Sequence, residues 1–130
     1  MPRGTRILLV ENNPALGTDL KALLAREGYV VSTASDGRKA LTHLANGPFD
    51  IIIFDFEIPD LKGDMLREVL RSRPSTKRLP IIVISSATPP SVDGDIAYGF
   101  LKKPIVIDEL ISNIERLVTR YAISRQRAPD

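Results

Sequence analysis

Three apolar runs recur along the chain: Ile7-Leu8-Leu9-Val10, Ile51-Ile52-Ile53-Phe54 and Ile81-Ile82-Val83-Ile84. Each ends in polar residues, Glu11-Asn12, Asp55 and Ser85 respectively. Short unbroken runs of this kind predict strands buried on both faces. Between them, apolar residues spaced by three and four predict helices. Pro14 opens the first helix, with Leu16, Leu20, Leu23 and Leu24 on one face. Gly28 then stands where a left-handed cap is favoured. Tyr29 to Thr33 predicts a short β-branched strand. Asp36-Gly37 starts a second helix carrying Ala40, Leu41 and Leu44, and Asn46-Gly47-Pro48 stops it. A third helix is predicted from Asp64 to Arg73, with Met65, Leu66, Val69 and Leu70 inward and Pro74 closing it. Tyr98 to Lys102 makes a fifth strand. Ile107, Leu110, Ile111, Ile114, Leu117, Val118 and Tyr121 form the apolar stripe of a last helix.

Strands that alternate with helices, and are apolar throughout, imply an α/β parallel sheet covered on both faces. Right-handed crossovers leave few topologies, and ligand sites lie beyond the carboxyl ends of strands where strand order reverses. Glu11, Asn12, Asp55 and Ser85 all fall at such ends. The link from Ser85 to Tyr98 is irregular. Pro89-Pro90 bars a helix there, Gly94 disfavours one in the rest of the link, and a loop with at most one helical turn is expected. The domain is expected to span residues 1–122, with a flexible tail over 123–130 that contains Arg125 and Arg127.

A chain of 130 residues suits one domain, and 43% hydrophobic with 26% charged residues allows a proper core. The apolar runs are too short to span a membrane, and the N-terminus lacks the pattern of a signal peptide. With no cysteine, disulfides and thiolate chemistry are excluded and a cytoplasmic location is expected. A net charge of +2 and few aromatic residues give no support for nucleic-acid binding.

The polar residues at the strand ends have a shared chemistry. Two neighbouring carboxylates, Glu11 and Asp55, repel unless a cation lies between them, and oxygen ligands alone point to a hard ion such as Mg²⁺. Lys103, after the fifth strand and before Pro104, can neutralise an added anionic group, and Ser85 can donate a hydrogen bond to it. A carboxylate nucleophile, a divalent cation, a lysine and a hydroxyl are the parts needed to accept a phosphoryl group. His43 has no partners at metal-ligand spacing and is expected at the surface or its boundary. Asp36 is most simply a helix cap.

In this order the motifs resemble a response regulator receiver domain over about residues 5 to 120. They are Ile7-Leu8-Leu9-Val10-Glu11, Asp55 with Pro59 four residues later, Gly63, Ser85 and Lys103-Pro104. The resemblance implies a flavodoxin-like, doubly wound, five-stranded parallel sheet of order 2-1-3-4-5. It implies that Asp55 is the phosphoacceptor and that Glu11, Asn12, Asp55 and the backbone carbonyl of Glu57 hold Mg²⁺. Ser85 and Lys103 would contact the phosphoryl group, and Phe100 would occupy the aromatic switch position. The donor would be a histidine kinase or a phosphotransfer protein.

Two positions depart from the family pattern. Asn12 stands where the family usually has a second acid, so it offers the cation an oxygen but no charge, which Glu57 partly offsets. The link from Ser85 to Lys103 is short for a full fourth helix, so that helix is expected to be short or absent and the signalling surface altered. The exposed face there leaves room for a homodimer. Asn12 keeps a second reading open, a degenerate receiver acting as a protein-interaction module without phosphorylation. A third reading, a flavin binder, is disfavoured because Glu11-Asn12-Asn13-Pro14 lacks phosphate-cradling glycines and its acid repels phosphate.

Overall fold

The computed structural model describes residues 4–58, 63–87 and 98–127. Along them the chain runs β1 (Arg6–Val10), α1 (Pro14–Arg26), β2 (Val30–Ala34), α2 (Gly37–Asn46), β3 (Ile51–Asp55), α3 (Gly63–Arg71), β4 (Ile81–Ser85), β5 (Tyr98–Lys102) and α4 (Ile107–Arg127). The strands form one sheet in the order β2-β1-β3-β4-β5, with every pairing parallel. This is the flavodoxin-like order expected from the sequence. Pro59 of the motif set and the Pro89-Pro90 link, where the fourth helix was expected to be short or absent, lie outside the described residues.

The unbroken apolar runs occupy the middle of the sheet, where both faces must be dry. β3 and β4 are buried at all five positions, and β1 at all but Arg6. Side chains alternate between faces. Ile7, Leu9, Ile51, Ile53, Ile82 and Ile84 pack with Leu20 and Leu24 of α1 and Leu110, Ile114 and Leu117 of α4. Leu8, Val10, Ile52, Phe54, Ile81 and Val83 pack with Ala40 of α2 and Leu66 and Leu70 of α3. The outer strands β2 and β5 are only partly covered.

Local chemistry sets the helix ends. Asn13 caps α1, its Oδ1 accepting from the Leu16 N–H at 3.2 Å. Gly28 adopts φ +92°, the left-handed conformation that closes the helix. The Tyr29 N–H still donates to the Leu24 carbonyl, which is why β2 begins at Val30 rather than Tyr29. Asp36 caps α2 by accepting from the Lys39 N–H at 2.8 Å. His43 is half-buried and meets the Phe49 ring edge-on, with centroids 6.4 Å apart.

Some predicted inward positions are exposed. Leu23 and Met65 remain 38% and 53% accessible because each lies on the flank of its helical stripe, past the sheet's cover. The last helix continues to Arg127, beyond the expected boundary at 122, since Ser-Arg-Gln-Arg contains no helix breaker and Arg and Gln favour helix. Among the described residues no helix is long and apolar enough to cross a membrane.

Candidate functional site

The chain leaves β1 for β2 on one side and returns to β3 on the other, so strand order reverses between β1 and β3. In open parallel sheets such a reversal point, beyond the strands' carboxyl ends, is where ligands bind. Val10 pairs with Phe54, so Glu11 and Asp55 emerge side by side. Asp55 ends β3 with its side chain fully buried. Its Oδ1 accepts from the Glu57 N–H at 2.9 Å, and its Oδ2 accepts from Lys103 Nζ at 3.0 Å. The same ammonium lies 3.6 Å from Glu11 Oε1. Ser85 Oγ, at the end of β4, is also buried, and the Ser85 carbonyl accepts from the Lys103 N–H at 2.9 Å. The structure therefore brings together Glu11, Asp55, Glu57, Ser85 and Lys103 from four parallel strands.

Burial shifts the charges of this cluster. It pushes the Glu11 carboxyl up to about 7, helped by a hydrogen bond and negative charge from Asp55 and opposed by the Asn13 N–H and Lys103. An ionised Glu11 leaves Oε1 without a hydrogen-bond donor, while Oε2 accepts from the Asn13 N–H at 3.0 Å. Burial works against the Lys103 ammonium, but the hydrogen bond and charge of Asp55, with Glu11 and Glu57 behind it, outweigh that cost and raise its pKa.

A hard cation fits these residues. Two buried carboxylates stand side by side, and one of their oxygens, Glu11 Oε1, is an unpartnered acceptor. Among the described residues no group of three His, Cys, Asp or Glu side chains is arranged to hold a metal, so protein carbonyls and water would complete the shell of an ion such as Mg²⁺. Asn12 is exposed beside Glu11. Phe100 is half-buried on β5 and packs at the margin of the Phe54 cluster.

The sequence pointed to Glu57 for its backbone carbonyl and a supporting charge. In the structure its carboxylate turns to the β4 end. Glu57 Oε1 accepts from Ser85 Oγ at 3.1 Å, from the Ser86 N–H at 2.6 Å and from Ser86 Oγ at 2.7 Å. These bonds, led by the Ser86 N–H, hold the Glu57 carboxyl below the usual carboxylate range. Ser86 and Asn13 are the site residues that sequence reasoning passed over. The signals were a second hydroxyl directly after Ser85 and a second asparagine after Asn12.

Comparison with known proteins agrees with this architecture. Residues 7–115 match the response regulator receiver domain family. The transcriptional regulatory protein TcrA of Mycobacterium tuberculosis is 32% identical over 94% of the chain and 49% of its own length. The first curated relatives are covered over only 15–54% of their length, so the chain spans about half of them or less. A sensor protein from Polaromonas superposes with a TM-score of 0.82 at 27% identity, covering 92% of this chain and 99% of that one. The receiver domain of a sensor histidine kinase from Pseudomonas aeruginosa, solved with a magnesium ion coordinated in its active site cleft, gives a TM-score of 0.74 at 31% identity, covering 89% and 98%. With a family match over most of its length, a sheet of the family's order and a carboxylate cluster at its reversal point, this chain belongs to the response regulator receiver domain family of two-component signal transduction.

Proposed function

We propose that Asp55 accepts a phosphoryl group from a histidine kinase or a phosphotransfer protein. The observation that carries this reading is the placement of a fully buried Asp55 at the strand-order reversal, with Lys103 Nζ 3.0 Å from one oxygen. An Asp55 carboxylate oxygen attacks the phosphorus of a phosphohistidine. The P–O bond forms as the P–N bond breaks, and the departing imidazole keeps the electron pair. Lys103 neutralises the negative charge that the acyl phosphate adds. Ser85, two positions before Ala87 at the end of β4, donates its hydroxyl proton to a phosphoryl oxygen. Glu11, Asn12, Asp55 and the Glu57 carbonyl would hold Mg²⁺, which would supply positive charge to the phosphoryl oxygens. That the related Pseudomonas receiver holds magnesium in its cleft supports this assignment.

Incubation with Mg²⁺ and acetyl phosphate, followed by intact-mass measurement, tests the reading. A single phosphoryl adduct that disappears in Asp55→Asn supports it, and no adduct at high Mg²⁺ refutes it. A second reading is favoured by Asn12, which stands exposed beside Glu11 and brings no charge. In that reading the chain is an interaction module that works unphosphorylated, and the same assay gives no adduct.

A further inference from the structure

Glu57 is bonded to both halves of the site. Its N–H donates to Asp55 Oδ1 at 2.9 Å, while its Oε1 gathers three donors: Ser85 Oγ at 3.1 Å, the Ser86 N–H at 2.6 Å and Ser86 Oγ at 2.7 Å. A serine hydroxyl has one proton to give. Ser85 gives that proton to Glu57, and its oxygen meanwhile accepts from the Ala87 N–H at 3.1 Å. The proton therefore cannot serve a phosphoryl oxygen on Asp55 until it leaves Glu57.

We propose that Glu57 is a positioning residue, a carboxylate latch that holds the Ser85-Ser86 segment in its unphosphorylated arrangement and is displaced when the phosphoryl group arrives. The inference rests on Asp55 being the phosphoacceptor. Glu57 Oε1 is an anionic acceptor occupying the donors that a second anion needs. Hydrogen bonds to a carboxylate are stronger than neutral ones, so three of them weight the equilibrium toward the latched form. The acyl phosphate carries about two negative charges where the Asp55 carboxylate carried one, and it presents three terminal acceptor oxygens. It competes for the same donors and repels the Glu57 carboxylate. Ser86 matters as much as Ser85, because it supplies two of the three donors. The latch thus slows phosphorylation and keeps the unphosphorylated segment in one arrangement.

The test uses the full chain, acetyl phosphate and saturating Mg²⁺, with adduct formation followed by intact mass. Saturation removes any change in ion affinity from the comparison. Glu57→Ala should raise the rate of adduct formation about five-fold or more, and Glu57→Gln, which keeps an acceptor oxygen without the charge, should raise it less. Ser86→Ala leaves every charge in place yet removes one donor, so it should raise the rate about two-fold. That variant separates a released latch from simple relief of repulsion toward the anionic donor. In the unphosphorylated protein, the Ser86 amide proton should resonate far downfield and move upfield in Glu57→Ala. Glu57→Gln carries the test if Glu57→Ala does not fold. Unchanged or slower adduct formation in Glu57→Gln and Ser86→Ala, or a Ser86 amide that does not move, overturns the latch while leaving the phosphoacceptor intact. Failure of the wild type and all variants to form an adduct overturns the phosphoacceptor reading and the latch with it.

Discussion

Lys103 Nζ lies 3.0 Å from Asp55 Oδ2, a contact between residues 48 positions apart that the parallel pairing of β3, β4 and β5 brings together. The ammonium also faces Glu11 Oε1 at 3.6 Å, so one cation serves two buried carboxylates. Their mutual repulsion is tolerable only while that charge is present.

Lys103→Ala should therefore destabilise the metal-free protein by about 1–3 kcal/mol, the cost of leaving buried charged groups without their partner. Urea unfolding in chelator measures it. Adding Mg²⁺ should restore part of the loss, because a divalent ion replaces the missing positive charge. A variant as stable as the wild type in chelator would show that Lys103 does not offset the carboxylates.

Asn12→Asp should tighten Mg²⁺ binding by about ten-fold. A third carboxylate near the ion adds a Coulomb attraction worth on the order of 1–4 kcal/mol between unit charges at 4 Å, of which desolvation removes a part. Isothermal titration calorimetry reads this directly. An unchanged affinity would mean that residue 12 does not approach the ion.

Gly99 lies where β5 meets α4. A Cβ there would stand 3.1 Å from Leu117 Cδ1 and 3.3 Å from Asn113 Oδ1. Neither neighbour yields easily. Leu117 is fully buried, and Asn113 is held by bonds from its Nδ2 to the Glu109 carbonyl and from Arg116 Nη2 to its Oδ1. Gly99→Ala should cost about 1–3 kcal/mol through overpacking. A lower urea midpoint with an unchanged slope is the expected result, and an unshifted midpoint would show that α4 can move away freely.

Tyr29 gives the fold a dependence on alkaline pH. Burial pushes its phenol up to about 12, with the charges of Glu115 and Glu27 adding to the shift. The unfolded phenol titrates near pH 10, so the neutral folded form contributes its full stability below about pH 10. That contribution, about 2–3 kcal/mol, is lost as pH rises from about 10 towards 12. Tyr29→Phe removes the titration, so its stability should fall less across this window than the wild type's. Equal losses in urea unfolding at pH 9 and pH 11.5 would exclude Tyr29 as the source.

Much of the architecture was legible because it depends on local pattern. Ile51 to Phe54 read as a doubly buried strand, Asp36 marks a helix start by the bond its carboxylate accepts, and Gly28 marks a helix end because glycine, lacking a Cβ, adopts positive φ. Strand and helix alternation pointed to a parallel α/β sheet, and the family resemblance carried by the motifs implied its order. The polar residues at strand ends were legible for the same reason, since a polar residue after a buried run emerges at the sheet's carboxyl end. The flanks were less legible. Leu23 and Met65 fit a helical stripe, yet the stripe's width is set by how far the sheet extends beneath it.

The strand pattern alone places Glu11 and Asn12 after β1, Asp55 on β3, Ser85 on β4 and Lys103 after β5, all at the carboxyl end of the sheet. How they are bonded depends on the folded chain. It paired Lys103 with both Asp55 and Glu11, left Glu11 Oε1 without a donor, gave the α1 cap to Asn13, and turned the Glu57 carboxylate toward Ser85 and Ser86. The physical reason is one of scale. Strand placement follows from side-chain periodicity, whereas the choice among hydrogen-bond partners separated by 28 or 48 residues depends on ångström distances across parallel strands.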